Sequence, residues 1–255
     1  MRVYYLGTCS GTEPRPGAHH CSLIIEVGDA YYWFDAGEGC AHTAANMGLD
    51  VAKSKCVFIS HSHTDHIGGF PPLLSWMAKM HGRFNTPLRF EDTLRIFAPE
   101  LDIIKAVRIV GVGSMSGKYR FNIEEHEIRA GVVFEDENIR VTAINNSHMQ
   151  NKRPSFSFLV EADGRRLVFS GDVGAPEELD PIIEGCDLLI METGHHSVLS
   201  VCDYAASRGV SRLRFNHHGR EILDGRAAAE DFVAEYASSH GMDMVICYDT
   251  MNETV

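Results

Sequence analysis

One short segment constrains this chain more than any other: residues 61–66 have the sequence His-Ser-His-Thr-Asp-His, which places four potential metal ligands within six positions. The segment follows an apolar run at 56–59 that is typical of a buried strand, so the ligands leave the carboxyl end of that strand on a loop. Gly68 and Gly69 come next and allow a close turn before a helix. Because divalent ions such as Zn²⁺ bind histidine and carboxylate groups, the segment predicts a dinuclear metal site, with a solvated polar turn as the less favoured alternative.

This segment resembles the His-x-His-x-Asp-His signature of the metallo-β-lactamase-fold hydrolases. That family also requires a third histidine, a bridging aspartate and a last histidine, each at the end of a later strand. The chain has candidates in that order, because His148, Asp172 and His217 each follow a strand-like stretch. The resemblance implies the α/β class and a four-layer αββα sandwich of two mixed β-sheets.

Two hairpin-like segments support the sandwich. Residues 22–37 and 157–174 each have the pattern of a strand, a two-residue turn, a second strand and then an Asp near a Gly. Helical patterns lie at 41–47, 70–80, 100–110, 198–207 and 227–240, and the strand before the last histidine is predicted at 212–215. No linker or low-complexity stretch interrupts the chain, so residues 1–255 are predicted to form one metallo-β-lactamase-like hydrolase domain.

The resemblance also implies the metal ligands. Two divalent cations are expected. The ligands of the first are His61, His63 and His148, and those of the second are Asp65, His66 and His217. Asp172 is expected to bridge the two cations. Asp65 is in addition a candidate catalytic residue. His218 is the alternative to His217, whose spacing from Gly194-His195 is similar to that in the ribonuclease Z branch of the family. Zinc is the default metal for a histidine-rich site, but manganese and iron accept the same ligands.

Three further motifs resemble the ribonuclease Z branch: Tyr-Leu-Gly-Thr-Cys-Ser-Gly at 5–11, Phe-Asp-Ala-Gly-Glu-Gly at 34–39, and Gly194-His195. In relatives of this kind the histidine beside the glycine donates a proton to the leaving group. The resemblance therefore makes His195 a candidate catalytic residue, since a histidine titrates near neutral pH. His196 is the alternative donor, and a structural role for either ring is the competing interpretation.

Supporting roles are expected from neighbouring polar residues. Metal-bound histidines commonly donate their second ring N–H to a carboxylate, and Asp35 or Glu38 is placed in the sequence to accept it. Glu192 ends another buried strand pattern and is a further candidate. Arg220 has two open interpretations, a contact with a substrate phosphate or a surface ion pair.

The formal net charge of −12 limits the class of partner. Binding to a long nucleic acid draws affinity from Lys and Arg residues that neutralise phosphates, and the chain has 23 of these against 35 Asp and Glu. The stretch between His148 and Asp172 is also too short for the long arm with which bacterial transfer-RNA-processing relatives grip their substrate. A small anionic substrate is therefore predicted as the partner, and a long nucleic acid is not.

These features together predict a metal-dependent hydrolase, in the first place a phosphodiesterase that acts on a small or cyclic phosphodiester or nucleotide. Two divalent ions lower the pKa of a bridging water to near 7, so that a hydroxide is available to attack phosphorus. Three alternatives stay open: hydrolysis of a lactone, thioester or sulfate ester on the same fold, cleavage of transfer-RNA 3′ ends, and metal binding without turnover. The first is disfavoured because His148 lies in Asn-Ser-His-Met-Gln instead of the Gly-His-Thr-Pro-Gly of the glyoxalase and lactonase branches.

Location and assembly are less constrained. No apolar run is long enough for a signal peptide or a membrane span, and the seven cysteines include no Cys-x-x-Cys pair. We therefore expect reduced cysteines, a cytoplasmic location and no membrane partner. A homodimer is implied by the family alone. The sequence leaves three roles open for residues 83–131: a wall of the substrate site, a lid or a dimer contact.

Overall fold

The computed structural model describes residues 1–113, 121–150 and 152–255, and these form two mixed β-sheets. In the first sheet the strands lie in the order β14-β1-β2-β3-β4-β5-β6. Their bounds are β1 Arg2–Gly7, β2 Ser22–Val27, β3 Ala30–Phe34, β4 Ser54–Phe58, β5 Thr93–Ala98, β6 Asn122–Glu127 and β14 Asn252–Thr254. Antiparallel pairing from β14 to β3 changes to parallel pairing from β3 to β6, so this sheet is mixed.

The second sheet has the order β13-β12-β11-β10-β9-β8-β7. Its strands are β7 Gly131–Glu135, β8 Arg140–Asn145, β9 Phe156–Ala162, β10 Arg165–Phe169, β11 Leu188–Thr193, β12 Arg212–His218 and β13 Asp243–Ile246. Here β7 to β10 pair antiparallel and β10 to β13 pair parallel. Each sheet therefore contains one antiparallel hairpin, β2–β3 or β9–β10, followed by a parallel neighbour, as the two predicted hairpins require.

Helices cover the outer faces of both sheets. They are α1 Cys40–Asn46, α2 Thr64–Ile67, α3 Phe70–Phe84, α4 Leu101–Val112, α5 Asp180–Ile183, α6 Val198–Ser207 and α7 Arg220–His240. The five predicted helices all form, but α7 begins at Arg220, well before the predicted 227. The backbone of Gly225 leaves helical geometry (φ −135°, ψ 33°), so a first turn precedes a kink and the predicted segment follows it.

The core has three layers because apolar side chains alternate along buried strands. In β3, Tyr32 and Phe34 point to the core between the sheets, whereas Tyr31 and Trp33 pack against the helices of the first sheet. A strand that is covered on both faces is apolar at consecutive positions, as this one is. The third core layer lies between the second sheet and its own helices. The predicted αββα sandwich is confirmed, and the assignment of residues 1–255 to one domain stays a prediction.

Two smaller predictions can be compared with the structure. No helix within the described residues is both long and apolar enough to cross a membrane. In the segment 83–131, basic side chains such as Arg95 and Lys105 form surface ion pairs with Glu91 and Asp102. Residues 114–120 of that segment lie outside the described residues, so its role as wall, lid or contact stays open.

Candidate metal centre

The predicted ligands meet at one edge of the sandwich, where loops leave β4, β8 and β10 and where β12 ends. His61 follows β4, and Asp65 and His66 lie on the short helix α2, whose N-cap residue is His63. Parallel strands bring their carboxyl ends to the same edge of a sheet, which is why ligands far apart in sequence converge there. His61, Asp65 and His66 are buried, while His63 is exposed at the mouth of the centre.

A first group of ligand atoms belongs to His61, His63, His148 and Asp172, all within 4.8 Å of one another. His63 Nδ1 lies 3.0 Å from His61 Nε2 and 3.3 Å from His148 Nε2. Asp172 Oδ2 lies 3.7 Å from His61 Nε2 and 3.6 Å from His148 Nε2.

A second group belongs to Asp65, His66, Asp172 and His217, again within 4.8 Å. His217 Nε2 lies 3.0 Å from Asp65 Oδ2 and 3.2 Å from His66 Nε2. Asp172 Oδ2 lies 3.4 Å from His66 Nε2, so this carboxylate is common to both groups. The structure thus brings together all seven side chains that were proposed as ligands, and their coordination of metal stays a prediction.

The chemistry of these atoms fits two divalent cations. Imidazole nitrogens that face one another at 3.0 to 3.3 Å repel through their lone pairs unless a proton or a cation lies between them. Asp172 Oδ1 and His217 Nδ1 are buried without a hydrogen-bond partner among the described residues, which is costly for groups left unsatisfied. A Cβ atom on Gly194 would lie 2.6 Å from His217 Nδ1, so a glycine is needed beside this ring.

Electrostatics lead to the same conclusion. Burial acts to lower the pKa of His217, but Asp172 and the hydrogen bond to Asp65 raise it to about 9. Burial also acts to raise the pKa of Asp172, but His217 and His66 hold it well below its usual value. The centre therefore favours anionic carboxylates around positive charge, which is the environment that a divalent ion requires.

A bulge in β12 distinguishes His217 from His218. Glu192 of β11 pairs with Asn216 and Thr193 pairs with His218, so His217 is the extra residue of the bulge and has left-handed backbone geometry (φ 49°). His217 thereby points into the centre. The Nε2 atom of His218 donates instead to the carbonyl of Cys247 at 2.9 Å, and burial lowers its pKa to about 3. The expectation that the strand ends at 215 is wrong, because the bulge lets pairing continue through both histidines.

Asp35 provides the support that was expected from the end of β3. Its Oδ2 atom accepts from the Nδ1 atom of His66 at 2.7 Å and from the Ser60 hydroxyl at 2.8 Å, and its Oδ1 accepts from the Ser60 N–H at 2.7 Å. This leaves His66 Nε2 facing the centre. Glu38, the alternative, is exposed and lies 3.3 Å from His19 Nδ1.

His195 and His196 have different surroundings. Glu192 Oε1 lies 3.1 Å from His195 Nδ1, and Glu192 Oε2 accepts from the His195 backbone N–H at 2.9 Å. The His195 side chain is 44% exposed, and the hydrogen bond to Glu192 is the largest cause of its raised pKa. His196 Nε2 donates to the Val173 carbonyl at 3.1 Å and is half-buried. His195 is therefore the more exposed of the two rings, and its Nδ1 atom lies 3.8 Å from Asp172 Oδ2.

Glu178 is a functional candidate that the sequence pattern did not indicate. Its carboxylate accepts N–H groups from Ser147 at 3.1 Å and from Gly174 at 2.9 Å. It therefore ties the loop of His148 to the turn of Asp172. An acidic residue in an unremarkable Pro-Glu-Glu-Leu segment has no local signal for this role, since Ser147 is 31 residues away along the chain. Arg220, by contrast, forms a surface ion pair with Glu13 at 2.8 Å.

An open cavity of about 580 Å³ lies over the first ligand group. It is lined by four histidines, by the apolar side chains of Met149 and Val173, by Gly174, and by three residues of the loop after β8. The histidines are His63, His148, His195 and His196. A small molecule placed here contacts the metal ligands and the candidate proton donor together.

Comparison with known proteins defines the class. A model of the beta-lactamase superfamily domain matches residues 31–211, so the chain belongs to that superfamily and is a metal-dependent hydrolase of the metallo-β-lactamase fold. Ribonuclease Z of Methanothermobacter thermautotrophicus is 26% identical over 277 aligned positions, which cover 85% of this chain and 86% of that protein. The predicted resemblance to the ribonuclease Z-like branch is confirmed.

Solved structures show the same architecture. The short form of human tRNase Z has a TM-score of 0.74 and 19% identity, with 100% of this chain and 99% of that chain covered. A diphosphatase from the PhnP family has a TM-score of 0.69 and 12% identity, with 100% and 97% covered. At these identities the likeness concerns the fold, and it agrees with the two-sheet sandwich described above.

Proposed function

We propose that this protein is a dinuclear phosphodiesterase that hydrolyses a small or cyclic phosphodiester. One observation carries the proposal: the Asp172 carboxylate is shared by two groups of histidine and aspartate ligands, beside a cavity that is also lined by His195. His61, His63 and His148 would hold one ion, Asp65, His66 and His217 the other, and Asp172 would join them. When bound, two divalent ions, in the first place zinc, supply Lewis acidity and lower the pKa of a coordinated water.

The chain's own residues supply the remaining steps. Asp35 and Glu192 hold the rings of His66 and His195 in fixed orientations through the contacts given above. Because Nδ1 of His195 faces Glu192, its Nε2 atom is the one available to donate a proton to the leaving oxygen. An alkoxide is a poor leaving group unless it is protonated as the bond breaks, and the hydrogen bond to Glu192 raises the pKa of His195, which favours its protonated form.

The volume of the cavity and the net charge of the chain both support a small substrate. A space of about 580 Å³ accommodates a nucleotide-sized molecule, and the loop between β8 and β9 is short. A structural neighbour is described as a diphosphatase, which fits a small phosphate-containing substrate. The net charge of −12 fits a long polyanion less well. A homodimer and a cytoplasmic location remain part of the proposal.

A second candidate is cleavage of transfer-RNA 3′ ends. It is favoured by the name ribonuclease Z of relatives that align with most of this chain, such as those at 26% and 25% identity. Both candidates use the same ligands and the same proton donor, and they differ in how much substrate is contacted outside the centre. We prefer the small substrate because the chain has a formal net charge of −12, which disfavours binding of a long polyanion.

Hydrolysis of bis-p-nitrophenyl phosphate by zinc- or manganese-loaded protein tests the general proposal, with Asp172→Ala protein as the blank. We expect a metal-dependent rate that the variant lacks. A precursor transfer RNA incubated with the same preparations separates the two candidates, since 3′ cleavage at a higher kcat/KM would favour the second. Two bound metals without hydrolysis of either substrate would refute both.

The proton donor is tested by changing the leaving group. p-Nitrophenolate leaves without protonation, whereas the 5′ alkoxide of thymidylyl-(3′→5′)-thymidine needs a proton. We expect His195→Ala to slow the dinucleotide on the order of 10²- to 10⁴-fold, the range of general acid catalysis, and to slow the nitrophenyl ester far less. His196→Ala is the matched control. Equal losses on both substrates in His195→Ala would contradict the assignment.

A further inference from the structure

One wall of the cavity over the centre carries positive charge that the proposed chemistry does not use. Lys152 and Arg153 line the same cavity as His148 and His195. Both lie on the loop that follows β8, and this loop also carries His148. Any substrate that reaches the centre through this cavity therefore passes beside the two basic side chains.

The two cations differ in their partners. Arg153 donates from Nε and Nη2 to Glu100 Oε2, at 2.9 and 2.6 Å, so its charge is balanced by a carboxylate. Lys152 Nζ donates to Gln150 Oε1 at 3.0 Å, and this amide is neutral. Among the described residues Lys152 has no ion pair. Its charge is thus uncompensated at the wall of the cavity, where a bound anion gains most from it.

The loop holds Lys152 through local hydrogen bonds. Gln150 has left-handed backbone geometry (φ 53°), and its N–H donates to the Ser147 carbonyl at 2.7 Å. The N–H of Lys152 donates to the Met149 carbonyl at 3.0 Å. With Gln150 also accepting from the ammonium group, these contacts direct the lysine along the cavity wall. The apolar side chains of Met149 and Val173 line the same space.

We infer that Lys152 binds a terminal phosphate carried by the substrate, in addition to the phosphodiester that lies at the metal centre. This inference rests on the proposed function and deepens it, because it specifies the substrate as a small phosphodiester with a phosphate monoester. A monoester carries a charge of about −1.5 to −2 at pH 7 and offers three acceptor oxygens, which a lysine ammonium binds through charge-assisted hydrogen bonds. Met149 and Val173 then contact the apolar part of the substrate.

The test compares two substrates that differ only in this phosphate. They are thymidine 5′-(p-nitrophenyl phosphate) and its 3′-phosphorylated form, and the enzyme is wild-type protein loaded with zinc or manganese. We expect the 3′-phosphorylated substrate to have the higher kcat/KM by about tenfold, the effect of about 1.4 kcal/mol. Lys152→Ala removes this preference, so that the ratio of the two kcat/KM values falls from about ten to about one.

Two variants make the comparison specific. Lys152→Arg keeps the charge and is expected to retain most of the preference. Lys105→Ala removes an exposed lysine of α4 that pairs with Asp102, and it is expected to behave as wild type on both substrates. An unchanged preference in Lys152→Ala, equal losses on both substrates, or no preference in wild type would each overturn the inference.

A binding measurement separates this inference from the proposed function. Calorimetric titration of metal-loaded protein with thymidine 3′,5′-bisphosphate and with thymidine 5′-monophosphate needs no turnover. Tighter binding of the bisphosphate, lost in Lys152→Ala, supports the phosphate site even if neither nitrophenyl ester is cleaved. Equal affinities in wild type overturn the phosphate site even if both esters are cleaved.

Discussion

The hairpins β2–β3 and β9–β10 have the same local pattern and end in aspartates with different surroundings. Asp35 follows the first hairpin, and its oxygens accept hydrogen bonds from Ser60 and His66. Asp172 follows the second hairpin, and its Oδ1 atom is buried without a hydrogen-bond partner among the described residues. The same sequence motif thus supplies an orienting carboxylate in one sheet and a candidate metal bridge in the other.

The neighbouring parallel strand accounts for the difference. In the first sheet Phe34 pairs with Phe58, and Ser60, two residues further on, donates both its N–H and its hydroxyl to Asp35. In the second sheet Phe169 pairs with Ile190, and the residue at the corresponding position is Glu192. The Glu192 N–H donates to the hydroxyl of Ser170 at 3.0 Å, and Ser170 follows Phe169 as Asp35 follows Phe34. Asp172 lies two residues further along the chain, where its Oδ2 atom faces the histidines.

Replacement of the bridge should have the largest effect. Asp172→Asn replaces an anionic carboxylate, whose two oxygens can join two ions, with a neutral amide that has one oxygen. Two-metal catalysis supplies several kcal/mol of transition-state stabilisation, so we expect a loss of kcat/KM on the order of 10³-fold. The measurement is hydrolysis of bis-p-nitrophenyl phosphate together with the metal content per chain. A variant that keeps two metals and near-normal activity would remove the distinction between the two aspartates.

Replacement of the orienting carboxylate should have a smaller effect. Asp35→Asn leaves all proposed ligands in place but replaces one acceptor oxygen with an amide donor that faces Ser60 or His66. Loss of such a partner typically reduces metal affinity or activity by about 10- to 100-fold. Titration of metal-free protein with zinc gives the affinity, and Glu38→Gln is the matched control because Glu38 contacts His19. An equal loss in the control would argue against the role of Asp35.

Thermal unfolding with and without zinc should sharpen the comparison. A ligand that binds only folded protein stabilises it by about 2.7 kcal/mol at 100 times its Kd, so the wild-type Tm should rise with zinc. Asp172→Asn should abolish most of this rise. Asp35→Asn should lower the Tm even without zinc, because it leaves a buried donor unsatisfied at a cost of about 1–3 kcal/mol, and should keep a smaller rise. A Tm that still rises fully with zinc in Asp172→Asn, together with a rise that is lost in Asp35→Asn, would assign the bridging role to Asp35 and the orienting role to Asp172.

The pH profile tests Glu192 as the counterpart of Ser60. A general acid works when protonated, so the rate falls as pH rises through its pKa, and the hydrogen bond that His195 donates to Glu192 raises the pKa of His195. Glu192→Gln weakens this interaction and should move the alkaline limb of kcat/KM to lower pH for thymidylyl-(3′→5′)-thymidine. Glu178→Gln, remote from His195 Nδ1, serves as control. An alkaline limb that stays at the same pH in Glu192→Gln would contradict the proposed interaction between Glu192 and His195.

The resemblance to the metallo-β-lactamase-fold hydrolases supplied the sandwich and the set of candidate ligands, and the strand patterns located the segments that carry them, because short apolar strands have a clear composition. These patterns placed the end of β12 incorrectly, since a bulge depends on the pairing of Glu192 and Thr193 with the next strand. They also gave no indication of Glu178 or Lys152. Exposed or half-buried charged residues have no periodicity, so neither residue has a signal in the sequence pattern.

By itself, the sequence determined the class of fold and the candidate ligands from His61 to His217 through its resemblance to a known family, and it determined the approximate positions of the strands because hydrophobic patterning is a local property. The tertiary structure decided which of two adjacent histidines faces the centre, which of two aspartates has an oxygen without a hydrogen-bond partner among the described residues, and which lysine lines the cavity. Those outcomes depend on strand register and on hydrogen-bond partners that are distant along the chain, and such contacts exist only once both sheets are packed together.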